Sequence, residues 1–232
     1  GDTSPLFENI MIKIKKTSDI NADSVKCIVY GGAGTGKTRF CATAPRPIII
    51  SAESGLLSLS DVNVDYIEIK SSKELDAAYR MLKDSDDYDT ICLDSLSEIA
   101  EVLIEELKPN YKDPRQAYGA LASSMMPMLR RFRDIQGKHT IFTAKMVVVQ
   151  DEESGKVTQE IMMPGRLLGH QLPYMVDELF HLKVDRKGKA MLQTAPDRTS
   201  FAKDRSGALL PLEEPDFTAI INKIMDKRKK LA

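Results

Sequence analysis

The segment GGAGTGKT at positions 31–38 has the residue types and the spacing of a phosphate-binding loop. Gly31, Gly36, Lys37 and Thr38 fit the pattern G-x-x-x-x-G-K-[ST], in which glycines let backbone N–H groups converge on phosphate oxygens. The lysine neutralises the β- and γ-phosphates, and the threonine hydroxyl ligates Mg²⁺. We therefore predict that the protein binds ATP and Mg²⁺. The predicted nucleotide-binding residues are Gly31, Gly32, Ala33, Gly34, Thr35, Gly36, Lys37, Thr38 and Arg39.

Two carboxylates follow apolar runs that are typical of buried strands. Asp94 ends the run TICLD, where an aspartate would hold Mg²⁺ together with Thr38. Hydrolysis also needs a group that orients water and accepts its proton. The residue after Asp94 is Ser95, and the next acid, Glu98, falls on the following helix. Glu53, in the stretch PIIISAES at positions 47–54, is therefore our candidate for the general base.

The elements that must position these residues alternate between strand and helix, which predicts an α/β domain with a mainly parallel sheet. Two antiparallel hairpins extend this sheet in the C-terminal half, with turns at Gly155 and at Lys187-Gly188. Residues 114–136 are expected to form a helix that is interrupted near Pro127. The predicted strands are 25–30, 47–52, 65–69, 89–95 and 139–144, and the last helix covers about 216–229.

Composition bounds the class of protein. The chain has 232 residues, 42% of them apolar, a formal net charge of −1 and a pI near 6.4, so any nucleic-acid site must be a local patch. Its three cysteines form no CxxC pair and are expected to be reduced and buried. Three scattered histidines make a zinc site built by the protein unexpected. No apolar run could cross a bilayer and no secretory signal opens the chain, so we expect no membrane partner and a cytoplasmic location.

The order GGAGTGKT, PIIISAES, TICLDS resembles the RecA-like ATPases, and more closely the phage-encoded minimal RecA-like proteins, the single-strand annealing ATPases of the AAA class. Supporting stretches include DPRQAYGAL, MMPGRLLG and AKDRSGALLP, and the resemblance spans about 24–225. It implies a RecA-like P-loop NTPase core in which Glu53 is the catalytic base. It also implies single-stranded DNA as a partner, a homo-oligomer (filament or ring), a possible single-strand-binding protein as a partner, and the cytoplasm of a host cell.

One position departs from the RecA pattern. After the strand TIFTA, RecA proteins usually place a glutamine that senses the γ-phosphate, whereas this chain has Lys145. A cation could sense the phosphate directly, and Lys145 is included among the predicted catalytic residues with Lys37 and Glu53. The alternative for Lys145 is an ordinary surface lysine at the end of a strand.

By the same resemblance, DNA would bind around residues 146–170. Lys156, Arg166 and His170 could contact phosphates there, and LRRFR at 129–133 is a second basic stretch. Aromatic residues for base stacking are almost absent from this region. An ordinary hairpin and a solvated helix face remain the alternative.

Two segments, one at the start of the sequence and one at residues 203–205, suggest contacts between subunits. Residues 1–23, with Phe7 and Ile10, could form an oligomerisation arm or an edge strand, ahead of an ATPase domain at 24–232. Lys203 and Arg205 lie late in the chain, where cations in RecA-like assemblies reach the γ-phosphate of a neighbouring subunit. The alternative for Arg205 is a surface turn in which it pairs with a local acid.

The leading interpretation is a Mg²⁺-dependent, DNA-linked ATPase of phage recombination that anneals or exchanges strands. A P-loop kinase of a small molecule or nucleotide is one alternative, although the position of Glu53 is that expected for a base that activates water. A non-hydrolysing adaptor is another. A GTPase would need an N/T-K-x-D motif after a late strand, and none is present.

Overall fold

The computed structural model describes residues 23–53 and 56–231. Within them, ten strands form one sheet. The strands are β1 (Lys26–Gly31), β2 (Pro47–Ser51), β3 (Asp65–Glu68), β4 (Thr90–Asp94), β5 (His139–Gln150), β6 (Val157–Met162), β7 (Glu178–Val184), β8 (Ala190–Gln193), β9 (Lys203–Asp204) and β10 (Leu212–Glu213). The helices are α1 (Lys37–Ala42), α2 (Ser72–Leu82), α3 (Leu96–Leu107), α4 (Pro114–Arg133), α5 (Arg166–Met175) and α6 (Phe217–Leu231).

The strand order is β10-β8-β7-β1-β5-β4-β2-β3. The strands from β7 to β3 run parallel to one another, while β6 pairs with β5 and β8 with β7 in antiparallel hairpins. The predicted α/β core, with a mainly parallel sheet and antiparallel hairpins in the C-terminal half, is therefore confirmed. Strand β5 lies between β1 and β4, so the ends of these strands converge on one region.

Apolar side chains cover both faces of the sheet, as a parallel sheet requires. Helices α2, α3, α4 and α5 pack on one face, and α1 and α6 pack on the other. The free thiols of Cys27, Cys41 and Cys92 are buried on the face that α1 and α6 cover, as predicted.

Local hydrogen bonds explain where the helices around the central strands begin. Ser71 is the N-cap of α2, and its Oγ accepts from the Glu74 N–H at 3.2 Å. Ser95 caps α3 in the same way by accepting from the Glu98 N–H at 3.3 Å. Because Ser95 directly follows Asp94, this cap starts α3 at the carboxyl end of β4.

Helix α4 shows no interruption near Pro127, which corrects the prediction. Pro127 lies on the exposed side of this helix, while Met126, Leu129 and Phe132 bury the opposite side. A proline removes one backbone hydrogen bond, and this buried apolar face holds the helix together despite that loss.

Helix α5 was not predicted because its ten residues include Gly169 and Pro173, two residues that weaken a helical pattern. The first hairpin is more continuous than predicted, since β5 extends from the core strand to Gln150 without a break. Strands β9 and β10 have two residues each and are too short to show the alternating pattern of a strand in the sequence.

The proposed N-terminal arm lies almost entirely outside the described residues, so the division at residue 23 stays a prediction. Among the described residues, no helix is long and apolar enough to cross a membrane.

Candidate functional site

The predicted site residues meet in a cleft at the carboxyl ends of the central strands. Gly31 at the end of β1 lies beside Lys145 on β5, and Ser51 at the end of β2 lies beside Asp94 at the end of β4. The cleft has a volume of about 480 Å³. It is lined among others by Gly31, Ala33, Gly34, Gly36, Lys37, Thr38, Arg39, Glu53, Asp94 and Lys145.

Glycine is required at two kinds of position in the loop. Gly34 and Gly36 have φ angles of 71° and 99°, in the left-handed region that favours glycine. A Cβ at Gly31 would stand 2.3 Å from the Leu182 carbonyl oxygen on β7, so this residue is fixed by close packing between strands. At Gly31, Gly34 and Gly36 the loop therefore carries no side chain.

Lys37 places its ammonium inside the loop. Its Nζ donates to the carbonyl oxygens of Gly31 at 3.0 Å and Gly32 at 2.7 Å. Burial lowers the pKa of Lys37, the carboxylates of Asp94 and Glu53 raise it, and the Lys145 ammonium lowers it further. The four charged groups thus act on one another within a single site.

Thr38 and Asp94 are joined directly. The Thr38 Oγ1 donates to Asp94 Oδ2 at 2.6 Å, and the Thr143 hydroxyl on β5 donates to Asp94 Oδ1. Asp94 is only 7% exposed, so these hydroxyls satisfy a carboxylate that is mostly withdrawn from water. A hydroxyl and a carboxylate side by side are the oxygen ligands that Mg²⁺ prefers.

Glu53 follows β2 and stays exposed at the rim of the same cleft. Its backbone N–H donates to Ser51 Oγ at 3.2 Å, which turns the chain just after the strand. Its charge raises the pKa of Lys37. The structure therefore brings Glu53 to the phosphate loop, as a general base requires.

Lys145 lines the cleft but contacts an acid. Its Nζ forms an ion pair with Glu98 Oε1 on the first turn of α3, and its backbone N–H donates to Ser97 Oγ at 2.9 Å. Ser97 Oγ donates in turn to the Met162 carbonyl oxygen at 2.7 Å, which ties α3 to the end of β6. Glu98, the other acid that could serve as the general base, is thus paired with Lys145 at the edge of the site.

The AAA domain family matches residues 23–206, more than half of the chain. The chain belongs to this AAA domain family. Among solved structures, a KaiC-like protein from the hyperthermophilic archaeon Pyrococcus horikoshii OT3 is similar at 17% identity, with a TM-score of 0.42 and coverage of 73% of this chain and 77% of that chain. No curated protein matches the chain.

In this AAA domain, some predicted loop residues have other partners. The Arg39 guanidinium lines the cleft but donates to both carboxylate oxygens of Asp61 at 2.8 Å and to the Ser58 carbonyl oxygen at 2.7 Å. Thr35 Oγ1 donates to the Gly32 carbonyl oxygen at 3.0 Å and stabilises the loop from within. Gly32 and Thr35 therefore shape the loop, and a nucleotide contact from Arg39 stays a prediction.

The three predicted DNA contacts do not form one cluster. Lys156 lies at the tip of the β5–β6 hairpin, Arg166 begins α5, and His170 lies one turn later on α5 with Nε2 4.0 Å from Glu160 Oε2. Their role in binding DNA stays a prediction.

Lys203 and Arg205 lie far from the phosphate loop of their own chain. Strand β9 pairs with the amino end of β7, whereas the loop follows the carboxyl end of the parallel strand β1. Lys203 Nζ donates to the carbonyl oxygens of Pro173 at 2.7 Å and Val176 at 2.5 Å. These contacts favour a structural role at the end of α5, and the assistance of Lys203 to Arg205 at the site of a neighbouring subunit stays a prediction.

Arg205 forms an ion pair with Asp177 at 3.1 Å, which is the local pairing that we kept as the alternative. Both side chains of the pair are more than half exposed, at 64% and 59%. An action of Arg205 on a neighbouring subunit stays a prediction.

Sequence analysis missed Thr143 and the Glu98–Lys145 pair. Thr143 is a hydroxyl in an otherwise apolar stretch of β5, two residues before Lys145. That hydroxyl in an apolar stretch is the only signal in the sequence. Its partner, Asp94, depends on the pairing of β5 with β4, which no local pattern shows.

Proposed function

We propose that this AAA domain binds ATP with Mg²⁺, hydrolyses it, and couples turnover to an action on single-stranded DNA, such as strand annealing or exchange in phage recombination. The observation that carries the ATPase part is the cleft itself. One cavity holds a glycine-rich loop, the Lys37 ammonium, the Thr38–Asp94 pair and the Glu53 carboxylate. The DNA part is supported by the resemblance of the sequence to minimal RecA-like proteins.

The residues present fit MgATP. Gly34 and Gly36 line the cleft without side chains, and any side chain at either position would be strained by the positive φ angle. Thr38 and Asp94 would hold the metal, which on binding neutralises phosphate charge. The Lys37 ammonium already faces the loop, and its two carbonyl partners can be exchanged for phosphate oxygens by rotation of a flexible side chain.

Glu53 would act as the general base for the water molecule that attacks the γ-phosphate. Its carboxylate orients a water molecule and accepts a proton as the water oxygen bonds to phosphorus and the bond to the β-phosphate oxygen breaks. An exposed rim carboxylate has direct access to this water. Lys145 provides positive charge across the cleft, near the Lys37 ammonium.

The test is steady-state ATP hydrolysis by the wild type and Glu53→Gln, with and without single-stranded DNA. Glu53→Gln should keep ATP affinity and lose turnover by roughly 10²–10⁴-fold, the usual contribution of a general acid or base. Single-stranded DNA should raise the turnover of the wild type.

Glu98→Gln is the matched control, because it alters the other acid near the cleft by the same isosteric change. It should leave turnover far less affected than Glu53→Gln does. If Glu53→Gln hydrolyses ATP like the wild type while Glu98→Gln is inactive, the base has been assigned to the wrong carboxylate. If the wild type does not respond to or bind single-stranded DNA, the ATPase assignment stands and the DNA part fails.

A further inference from the structure

Tyr174 on α5 is the most exposed large hydrophobic side chain in the described part of the protein, at 85%. It stands at the meeting point of three surface depressions. A bulky aromatic ring that contacts so little of its own protein contributes little to folding. Its ring is therefore accessible to a ligand that approaches from outside.

A second exposed aromatic ring lies beside it. Phe201, 55% exposed, lines the first depression together with Tyr174 and His170. This groove of about 300 Å³ has an apolar floor that includes Ile161 and Leu179. The Phe201 backbone is fixed, because its carbonyl oxygen accepts from the Tyr30 hydroxyl at 2.6 Å.

The other two depressions at Tyr174 are lined by arginines. Arg130 and Arg133, from the basic stretch 129–133, line one of them. Arg133 is bound to Asp134 and donates to the Met175 carbonyl oxygen at 2.8 Å, while Arg130 is exposed and forms no ion pair with any described residue.

The remaining depression is lined by both cations and acids, and the cations exceed the acids by one. Its lining contains the cations Lys26, Arg133, Arg205 and Arg228 and the acids Asp23, Asp134 and Asp177. Glu160 adds one acid to the aromatic groove, next to His170. By contrast, the depression lined by Arg130 and Arg133 has no acid among its lining residues.

We propose that Phe201, His170, Tyr174, Arg130 and Arg133 form one binding surface for single-stranded nucleic acid, called here the aromatic–arginine surface. Bases stack on Tyr174 and Phe201, and the arginines contact the backbone phosphates, the combination that proteins use to bind single strands without sequence preference. The inference rests on the proposed function and names residues outside the β5–β6 hairpin. It also supplies the aromatic rings that the segment 146–170 lacks.

A nucleic acid suits this surface better than a second protein. Protein interfaces centre on contiguous apolar patches, whereas two of the three depressions at Tyr174 are lined by arginines. Arginine beside an exposed aromatic ring matches a ligand that alternates flat bases with phosphates. A second copy of the chain is the competing occupant, and the experiment below separates the two.

The chain contains no tryptophan, so one substitution creates a specific probe. Tyr174→Trp places a single indole on the surface, and oligo(dT) stacked on it should quench its fluorescence in a saturable way. Tyr66→Trp is the control. Tyr66 is also an exposed tyrosine, at 54%, but it lies on β3 at the opposite edge of the sheet, and its substitution should give no quenching.

Affinity for oligo(dT), measured by fluorescence anisotropy with a slowly hydrolysed ATP analogue, provides the second readout. Tyr174→Ala should weaken binding by about 5- to 150-fold with an unchanged salt dependence, and Tyr174→Phe should bind like the wild type, because stacking needs only the ring. Arg130→Ala should lower the slope of log affinity against log salt by about one, because it removes one phosphate contact.

Three results would overturn the proposal. Wild-type protein that binds no oligo(dT) would remove the DNA part of the proposed function and this surface together. Wild-type binding with unquenched Tyr174→Trp and unaltered Tyr174→Ala affinity would remove this surface alone. Indole fluorescence that changes with protein concentration in the absence of DNA, with assembly lost in Tyr174→Ala by sedimentation, would assign the surface to a second copy of the chain.

Discussion

Lys37 and Lys203 lie in two regions that are alike in local chemistry and different in surroundings. Each ammonium donates to two backbone carbonyl oxygens, and burial lowers the pKa of each. Around Lys37 the backbone is glycine-rich and open to a cleft that also holds Asp94 and Glu53. Around Lys203 the partners are Pro173 and Val176, at the end of α5.

The comparison teaches that a lysine bound to carbonyls does not by itself indicate a function. The partners of Lys37 belong to a loop that lines a cleft, so the flexible side chain of Lys37 can exchange them for a ligand there. The partners of Lys203 belong to the last turn of a packed helix, whose carbonyls need a donor in every state of the protein. From this difference we expect Lys37 to be functional and Lys203 to be structural.

The largest effect should come from removing the functional lysine. Lys37→Ala should abolish detectable ATP turnover, since Lys37 carries the only positive charge of the loop at residues 31–38. Turnover is measured by phosphate release, and circular dichroism checks that the fold is retained. Turnover close to that of the wild type would end the assignment of this loop as the ATP site.

Lys203→Met is the matched control for that experiment. It should retain ATP turnover below its unfolding temperature but lose about 1–3 kcal/mol of stability to urea, because the carbonyls of Pro173 and Val176 lose a buried donor. A Lys203→Met variant that is fully stable and inactive would reverse the distinction between the two lysines.

Arg205 tests whether the region around β9 also serves a neighbouring subunit. If Arg205 completes the site of a neighbour, Lys37→Ala and Arg205→Ala should each be inactive alone. An equal mixture that exchanges subunits should then recover roughly a quarter of the sites in a head-to-tail assembly. Background activity in the mixture despite proven exchange, or an active Arg205→Ala, would leave Arg205 with only its local pair to Asp177.

Glu178, next to Arg205's partner, should make stability depend on pH. The carboxyl group is 2% exposed, and burial, followed by repulsion from Asp204, raises its pKa from 4.5 to about 8. The folded state thus holds this proton more tightly than the unfolded state. Stability from this group is complete below pH 4.5 and is lost as pH rises to about 8.

Glu178→Gln should remove that loss and raise stability at pH 9 by on the order of 1–3 kcal/mol relative to the wild type. Urea unfolding at pH 5, 7 and 9 measures it. Glu213→Gln is the control, because the Glu213 carboxylate is paired with Lys223 at 2.5 Å and its loss should destabilise the protein at neutral pH. Parallel pH profiles for the wild type and Glu178→Gln would contradict the assignment.

The sequence predicted the cleft well because its residues follow directly from strand ends. In a parallel sheet the carboxyl ends of neighbouring strands meet at one edge, so placing Gly31, Asp94 and Glu53 after apolar runs was enough to bring them together. The glycines also carry their own signal, since few other residues tolerate the loop backbone.

The surroundings of the cleft depend on contacts that no local pattern encodes. The partners of Thr143 and Lys145 depend on β5 inserting between β1 and β4. The partners of Lys203 depend on a two-residue strand and on a helix, α5, whose Gly169 and Pro173 obscured its pattern. Tyr174 and Phe201 are 27 positions apart in the sequence and become neighbours only in the folded protein.

The central claim is that one cleft holds ATP together with Mg²⁺ through the Thr38–Asp94 pair. The most direct test is calorimetric titration of ATP into the wild type and Asp94→Asn, each with Mg²⁺ and with EDTA. We predict one ATP per chain for the wild type with an affinity that falls when Mg²⁺ is removed, and an Asp94→Asn variant whose weaker binding no longer responds to the metal. Equal affinity and equal Mg²⁺ dependence in the two proteins would contradict the claim.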